Sequence, residues 1–233
     1  MIKVKRLFLI LLVLLCIAVF TILASGYVRY KNTLLEVSLE DKIAEIKQRP
    51  DYVTLDEINY DFLMAILAVE DPKFYKHNGI LLSNIVEAFF TNLKEQEYVM
   101  GGSTITQQLC KNLFLDQKKT LNRKAAELFF VHDIEKTLTK DEILELYVNI
   151  IYFGDGYYGI QQAATGYFQT EPKHLTIAQA TLLAGLPQAP AIYQLSTGYT
   201  LAKQRQRIVL EEMVIQNYLR EEEIQEIHQQ PLT

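Results

Sequence analysis

Three polar clusters in this chain carry side chains suited to acid–base and anion chemistry. The first is Glu70-Asp71-Pro72-Lys73-Phe74-Tyr75-Lys76-His77-Asn78-Gly79, where an acidic pair ends an apolar run and a histidine follows close behind. A carboxylate at such a rim is partly desolvated, which raises its pKa and suits it to proton transfer. Taken alone, Glu70 reads as a solvated helix terminus and His77 as a hydrogen-bonded structural histidine. The second cluster runs from Gly101 to Asn112 and holds two glycines, three hydroxyls, two amides, a lysine and an asparagine. Gly101 and Gly102 allow close backbone approach, and the free amides of a helix start favour an anion. Thr104 and Gln107 fit a capping box, which leaves Gln108, Lys111 and Asn112 without a structural duty. Lys111 lies seven residues beyond Thr104, two turns along one face. The third cluster is Lys118-Lys119-Thr120-Leu121-Asn122-Arg123-Lys124-Ala125-Ala126-Glu127. Its four cations suit a phosphate or pyrophosphate. Arg123 and Glu127 project from one helical face, and alone they read as a surface ion pair.

Together the clusters supply two separated carboxylates, an anion-binding helix start and a cationic patch. That combination fits displacement of a phosphate leaving group by a hydroxyl. Glu70 would deprotonate the hydroxyl, and Lys111 and Arg123 would stabilise the departing phosphate. Metal-ligand spacing is absent, because the four histidines are scattered and no Cys-x-x-Cys occurs.

The elements that must position these groups are mostly helices. Lys3, Lys5 and Arg6 precede Leu7 to Ala24, an apolar run broken only by Thr21. Roughly 17–25 such residues span a bilayer as a helix, and a cationic N-flank predicts a cytoplasmic N-terminus. Ala24-Ser25-Gly26 resembles a signal-peptide cut site, but the apolar run exceeds the usual ~7–15 residues of a signal. An uncleaved single-pass anchor in a cell membrane, with an extracytoplasmic domain, is expected. The net charge of −5 argues against nucleic-acid binding. Cys16 lies in the apolar run and Cys110 beyond it, so no disulfide framework forms.

The pattern divides the chain into an anchor over 1–28, a juxtamembrane segment over 29–53 and one domain over 54–233. Residues 33–48 read as one amphipathic stretch. Thr54 with Glu57 caps a helix carrying Phe62, Leu63, Ile66 and Leu67. Further helices are expected at 83–94, 104–114, 121–137, 140–151, 159–168, after Thr176, near 200–218 and at 221–229. The fold class is mainly α.

At these residues the chain resembles the peptidoglycan glycosyltransferases, the family shared by monofunctional transglycosylases and the N-terminal domains of class A penicillin-binding proteins. Glu70-Asp71-x-x-Phe74-x-x-His77-x-Gly79 matches the first family motif, Gly101 to Asn112 the second, and Arg123-Lys124-x-x-Glu127 the third. Ile143-Leu144-Glu145-x-Tyr147-x-Asn149, continuing through Gly154, Gly159, Ala163 and Tyr167-Phe168, matches the fourth. Leu175 to Pro190, with Ala184-Gly185-Leu186-Pro187, matches the fifth.

The resemblance implies a lysozyme-like fold and lipid II as substrate, polymerised into β-1,4-linked glycan with inversion and loss of undecaprenyl pyrophosphate. It implies Glu70 as general base and Glu127 as second catalytic carboxylate. Lys111, Arg123 and Lys124 would hold pyrophosphate, and Ser103, Thr104, Gln108 and Asn112 would line the donor site. Asp71, Phe74 and His77 would shape the catalytic loop. No cofactor is obligatory, although Mg2+ or Mn2+ would assist pyrophosphate departure. Partners would be the growing glycan strand, the membrane and transpeptidases.

Two positions depart from the family pattern. Gln179 stands where relatives often carry Glu, and it suits the same capping role after Thr176. Asp133 stands where a basic residue is common, which reverses a local charge. About 40 residues follow the fifth motif, too few for a transpeptidase domain, and neither Ser-x-x-Lys nor Lys-Thr-Gly occurs. A monofunctional enzyme is expected. The alternatives are a lipid II-binding scaffold without activity and a glycan hydrolase, which would have little use for the cations at 118–124.

Overall fold

The computed structural model describes residues 2–81, 102–116, 118 and 120–232. The expected helix at 83–94 with Phe89 and Phe90, as well as Gly101 and Lys119, lies outside them.

Helix α1, Ile2–Glu36, runs unbroken for 35 residues. The expected anchor boundary at residue 28 therefore falls inside a helix, because nothing between Tyr27 and Glu36 breaks one. The single stretch expected over 33–48 is instead divided at Ser38. Its hydroxyl accepts from the Asp41 N–H and starts helix α2, Leu39–Lys47. The Thr54–Glu57 capping box forms as expected but opens only a 3-10 turn, Leu55–Glu57. Helix α3, Tyr60–Glu70, has its own cap in Asn59, whose Oδ1 accepts from the N–H groups of Asp61 and Phe62.

Next come α4 (Ile105–Phe114), α5 (Leu121–Thr137) and α6 (Lys140–Ile150), close to the expected ranges. Thr104, Thr120 and Thr139 each cap one of them through a side-chain oxygen. Helices α7 (Ile160–Phe168) and α8 (Ile177–Gly185) follow, then a short α9 (Pro190–Tyr193). Helix α10 (Leu195–Ile215) begins earlier than expected because Gly198 bends rather than ends it. Helix α11 (Glu223–Gln229) closes the chain. Among the described residues extended pairing is confined to an isolated bridge between Tyr152 and Tyr158.

The core forms where α3 packs against α8 and α10, and where α4 packs against α5 and α6. Helix α3 is buried nearly all round, with Phe62, Leu63, Ala65, Ile66, Leu67 and Ala68 inside. A helix apolar on every face belongs in a core, so the carboxylate at its end is carried into the middle of the domain.

Helix α1 lies along α5. At Gly26 an added Cβ would sit 2.4 Å from the Ala125 Cβ, so only glycine lets the two backbones meet. Asn122 Nδ2 donates to Ser25 Oγ at 2.9 Å. Tyr27 and Tyr30 pack their rings on Phe129, and Tyr30 packs on Phe130 as well. The Tyr30 hydroxyl donates to Asp133, so the reversed charge at position 133 has a partner on α1. From Leu7 to Phe20 the large apolar side chains of α1 remain exposed.

Candidate active site

Helix α3 stops at Glu70 because Pro72 disfavours a helical Asp71, which adopts φ −158° and ψ 75°. Glu70 is thus presented at a helix end facing the start of α4. Gln108 Nε2 donates to its Oε2 at 2.6 Å, while Oε1 is buried with no hydrogen-bond partner. Burial pushes the carboxyl above the usual range, against the opposing pull of Gln108, Arg205 and Lys111. Tyr147, fully buried on α6, donates from its hydroxyl to Gln108 Oε1 at 3.2 Å and so fixes which way the amide faces.

Beneath this layer the loop after α3 is tied to α4 by a second set of bonds. Asp71 is fully buried and accepts from the Ile105 N–H at 3.1 Å and from His77 Nε2 at 2.9 Å. Burial raises the Asp71 pKa, opposed by those donors. The Gly79 N–H donates to His77 Nδ1, so the ring proton sits on Nε2. Thr104 donates to the Gly79 carbonyl at 2.5 Å. Gly79 has φ +79°, and a Cβ there would meet Val131 at 2.5 Å, so glycine is required. Phe74 is buried beside His77, with Lys140 Nζ 4.5 Å from its ring centre.

Opposite Glu70, α5 supplies Arg123, Lys124 and Glu127. Arg123 donates to Glu127 Oε2 at 3.2 Å and Lys124 to Oε1 at 2.5 Å. Gln107 donates to the same Oε1 at 3.0 Å, and its carbonyl oxygen accepts from the Thr104 N–H. One amide therefore both closes the α4 cap and orients the buried Glu127. Lys111 has a lowered pKa, first through burial and then through the nearby Arg123 charge.

These groups surround a polar cleft of about 180 Å³ lined by Glu70, Ser103, Gln107, Gln108, Lys111, Arg123, Lys124, Glu127, Pro187, Gln188 and Arg205. Four cations face two carboxylates in a chain that is acidic overall. The cleft is therefore cationic and suits a multiply charged phosphate. Among the described residues no group of three His, Cys, Asp or Glu side chains converges. Both oxygens of Glu127 already accept from cations or an amide. That donor set does not fit a resident divalent cation, and the Lys and Arg side chains supply the positive charge themselves.

The profile of the transglycosylase family matches residues 39–214. The chain belongs to the transglycosylase family. It is similar to the monofunctional glycosyltransferase of Staphylococcus aureus (strain JH9), at 36% identity over 80% of this chain and 71% of that protein. Penicillin-binding protein 1A of Aquifex aeolicus is 42% identical over 80% of this chain. Penicillin-binding protein 2D of Bacillus subtilis is 38% identical over 87% of it. In those two larger proteins the match spans only 26% and 30% of the length.

In this transglycosylase the cleft brings together Glu70, Ser103, Gln108, Lys111, Arg123, Lys124 and Glu127 of the residues singled out in the sequence. Asp71, Phe74, His77 and Thr104 lie outside its lining, as the framework that joins the first loop to α4. Thr104 is buried in that framework at the start of α4, whereas Lys111, two turns on, opens to the cleft. Asn112 lines an adjoining hollow of about 280 Å³ with Gln108, Lys111, Tyr152 and Pro190. Sequence reasoning missed Arg205, Gln188 and the supporting roles of Gln107 and Tyr147. Arg205 had a detectable signal: it lies in helical phase with Ala202, Val209, Leu210 and Met213, the buried face of α10. A charge on an apolar face requires a partner inside.

Proposed function

We propose that this peptidoglycan glycosyltransferase uses Glu70 as the general base that activates a sugar hydroxyl against a pyrophosphate-linked anomeric carbon. The substrate is lipid II, and the product is a longer glycan strand with undecaprenyl pyrophosphate released. The acceptor 4-hydroxyl loses its proton to Glu70 as its oxygen bonds to the anomeric carbon. The bond from that carbon to the pyrophosphate oxygen breaks, its electron pair leaving with the phosphate. Attack from the face opposite the leaving group inverts α to β. Lys111, Arg123, Lys124 and Arg205 offset the charge that accumulates on the pyrophosphate. Glu127 holds Arg123 and Lys124 at the distance this needs.

The observation that carries the reading is Glu70 itself. Its Oε1 is buried and unpartnered in a cleft lined by four cations. A carboxylate with a raised pKa and a free oxygen is a competent base, and the surrounding charge suits the leaving group. Helix α1 meets the length and composition of a membrane span, which supports a membrane location. Its docking on α5 through Ser25 and Gly26 supports an anchor that is retained, and the cationic flank of Lys3, Lys5 and Arg6 supports a cytoplasmic N-terminus with the cleft outside.

The test is polymerisation of labelled lipid II by the purified full chain in detergent. Glu70→Gln should lower turnover by at least about 10²–10⁴-fold while substrate binding persists. Wild-type turnover in that variant would remove the base assignment. Binding without polymer in the unaltered protein would instead favour a scaffold.

A further inference from the structure

The segment that joins α2 to α3 carries an ion pair that neither the cleft nor the core accounts for. Helix α2 ends just before Pro50, and the Tyr52 N–H closes a turn on the Arg49 carbonyl at 3.1 Å. That turn sets Arg49 and Asp51 together. Arg49 donates from Nε to Asp51 Oδ1 at 3.0 Å and from Nη2 to Oδ2 at 2.8 Å, a bidentate pair. Both side chains are largely shielded from water. The same segment is laced to the end of α6. The Val53 N–H donates to Asn149 Oδ1 at 2.9 Å, and its carbonyl accepts from Asn149 Nδ2 at 2.8 Å.

From this pair, contacts run to the loop after α6. Arg49 Nη1 donates to the Asn149 carbonyl at 3.4 Å. Asp51 Oδ2 accepts from Gln162 Nε2 at 2.5 Å, and Gln162 Oε1 accepts from the Tyr158 N–H at 3.0 Å. One amide thus ties Asp51 to the backbone of Tyr158. Tyr158 in turn is bridged to Tyr152, and their rings stack with centroids 4.6 Å apart. Gly159 has φ +84°, and a Cβ there would lie 2.4 Å from the Asn149 carbonyl oxygen, so the loop closes tightly on α6. Of the two stacked rings, only Tyr152 lines the hollow of about 280 Å³ beside the cleft. That hollow shares Gln108, Lys111, Pro187 and Gln188 with the cleft. An aromatic wall with a few polar groups is the usual make-up of an organic ligand site, and a ligand with its pyrophosphate among the cations has room here for attached sugars.

We propose that Arg49, Asp51 and Gln162 are positioning residues that hold the Tyr152–Tyr158 pair against the hollow. The stretch between α2 and α3 thereby sets how tightly the sugar part of the substrate is gripped, which rests on the lipid II reading above. None of the three lines the cleft or the hollow, so their effect passes through Tyr152.

Steady-state polymerisation of labelled lipid II by the full chain in detergent tests this. Gln162→Leu removes both bonds of the amide and should raise KM about three- to tenfold, with kcat within about twofold of the parent. Gln162→Glu sets a second carboxylate against Asp51 and should raise KM by at least as much. Adding Asp51→Asn to that variant supplies an amide that donates to the new carboxylate, and KM should return to within about twofold of the parent. Tyr152→Ala should raise KM by itself, and combining it with Gln162→Leu should raise KM no further, because both act on one contact. Effects that multiply independently would overturn the proposal. So would a fall in kcat or in thermal stability with KM unmoved, which would leave the three residues a purely structural role. Absence of polymer from the parent protein would overturn the lipid II reading instead.

Discussion

The side-chain amide of Gln108 lies 2.6 Å from one oxygen of Glu70 and leaves the other oxygen free. The amide has no freedom to turn, since its own oxygen accepts from Tyr147. A hydrogen bond to a carboxylate stabilises the charged form, so Gln108 counteracts the rise that burial imposes on Glu70.

Gln108→Leu should therefore push the Glu70 pKa further upward. The base must be ionised to act, so the acidic limb of the kcat profile moves to higher pH. Turnover at neutral pH falls by about tenfold or more, while the alkaline limb is unmoved. Tyr147→Phe should shift the same limb in the same direction by less. An unshifted limb in both variants would separate Gln108 from the base.

Arg205 contributes to the same balance from α10. Its side chain is buried, its Nε lacks a partner, and its charge pulls the Glu70 pKa down. Arg205→Met keeps the packing and removes the charge. The acidic limb should again move upward, with kcat/KM reduced by about 10–10²-fold, the loss of one charge-assisted contact to a phosphate. Thermal unfolding of this variant should stay near that of the parent. A large fall in Tm with normal kinetics would make Arg205 a packing residue only.

Glu127 is nearly inaccessible, and its ion pair with Arg123 is shielded from water on both sides. Removing one member of a buried pair leaves the other uncompensated. Glu127→Ala should cost about 3 kcal/mol, or a Tm drop of roughly 6–12 °C in a chain of this size. Calorimetry in detergent measures it directly. A Tm within a degree of the parent would show that the cluster tolerates unpaired charge.

Gly26→Val should loosen α1 from the domain. Its first side-chain carbon would lie 2.4 Å from that of Ala125 and even closer than van der Waals contact to the α5 backbone, at 2.8 Å. Overpacking of this kind costs about 1–3 kcal/mol. The readout is faster proteolysis of the Tyr27–Glu36 segment in detergent. Ser25→Ala, which loses one bond to Asn122, should have a milder effect of about 1 kcal/mol.

Much of this arrangement was legible because helix caps are local. Thr104 with Gln107, Thr139 with Glu142 and Thr176 with Gln179 each close a box within four residues. The Arg123–Glu127 pair was legible for the same reason. The Thr54–Glu57 box misled, since the same four residues cap a 3-10 turn equally well. Thr104 looked like a ligand group because the acceptor of its hydroxyl, Gly79, is 25 residues away in the chain. Arg205 resembled any surface cation until α10 was seen against α8 and α3. The continuation of α1 past residue 28 follows from a stretch to Glu36 that contains no helix breaker, whereas its docking on α5 is recorded by no pattern within the anchor.

Gln179 shows how one atom exchange can fasten a distant part of a chain. Its Oε1 accepts from the Thr176 N–H at 2.9 Å, and its Nε2 donates to the Leu232 carbonyl at 2.8 Å. A glutamate at this position would serve the first bond but has no proton for the second when ionised. It would instead set two acceptors against each other in a buried place. The amide thus works as a clasp: it opens α8 with one hand and holds the closing residues against that helix with the other. The tail and the identity of residue 179 are therefore linked, and a chain with glutamate at this position would need another fastening for its end.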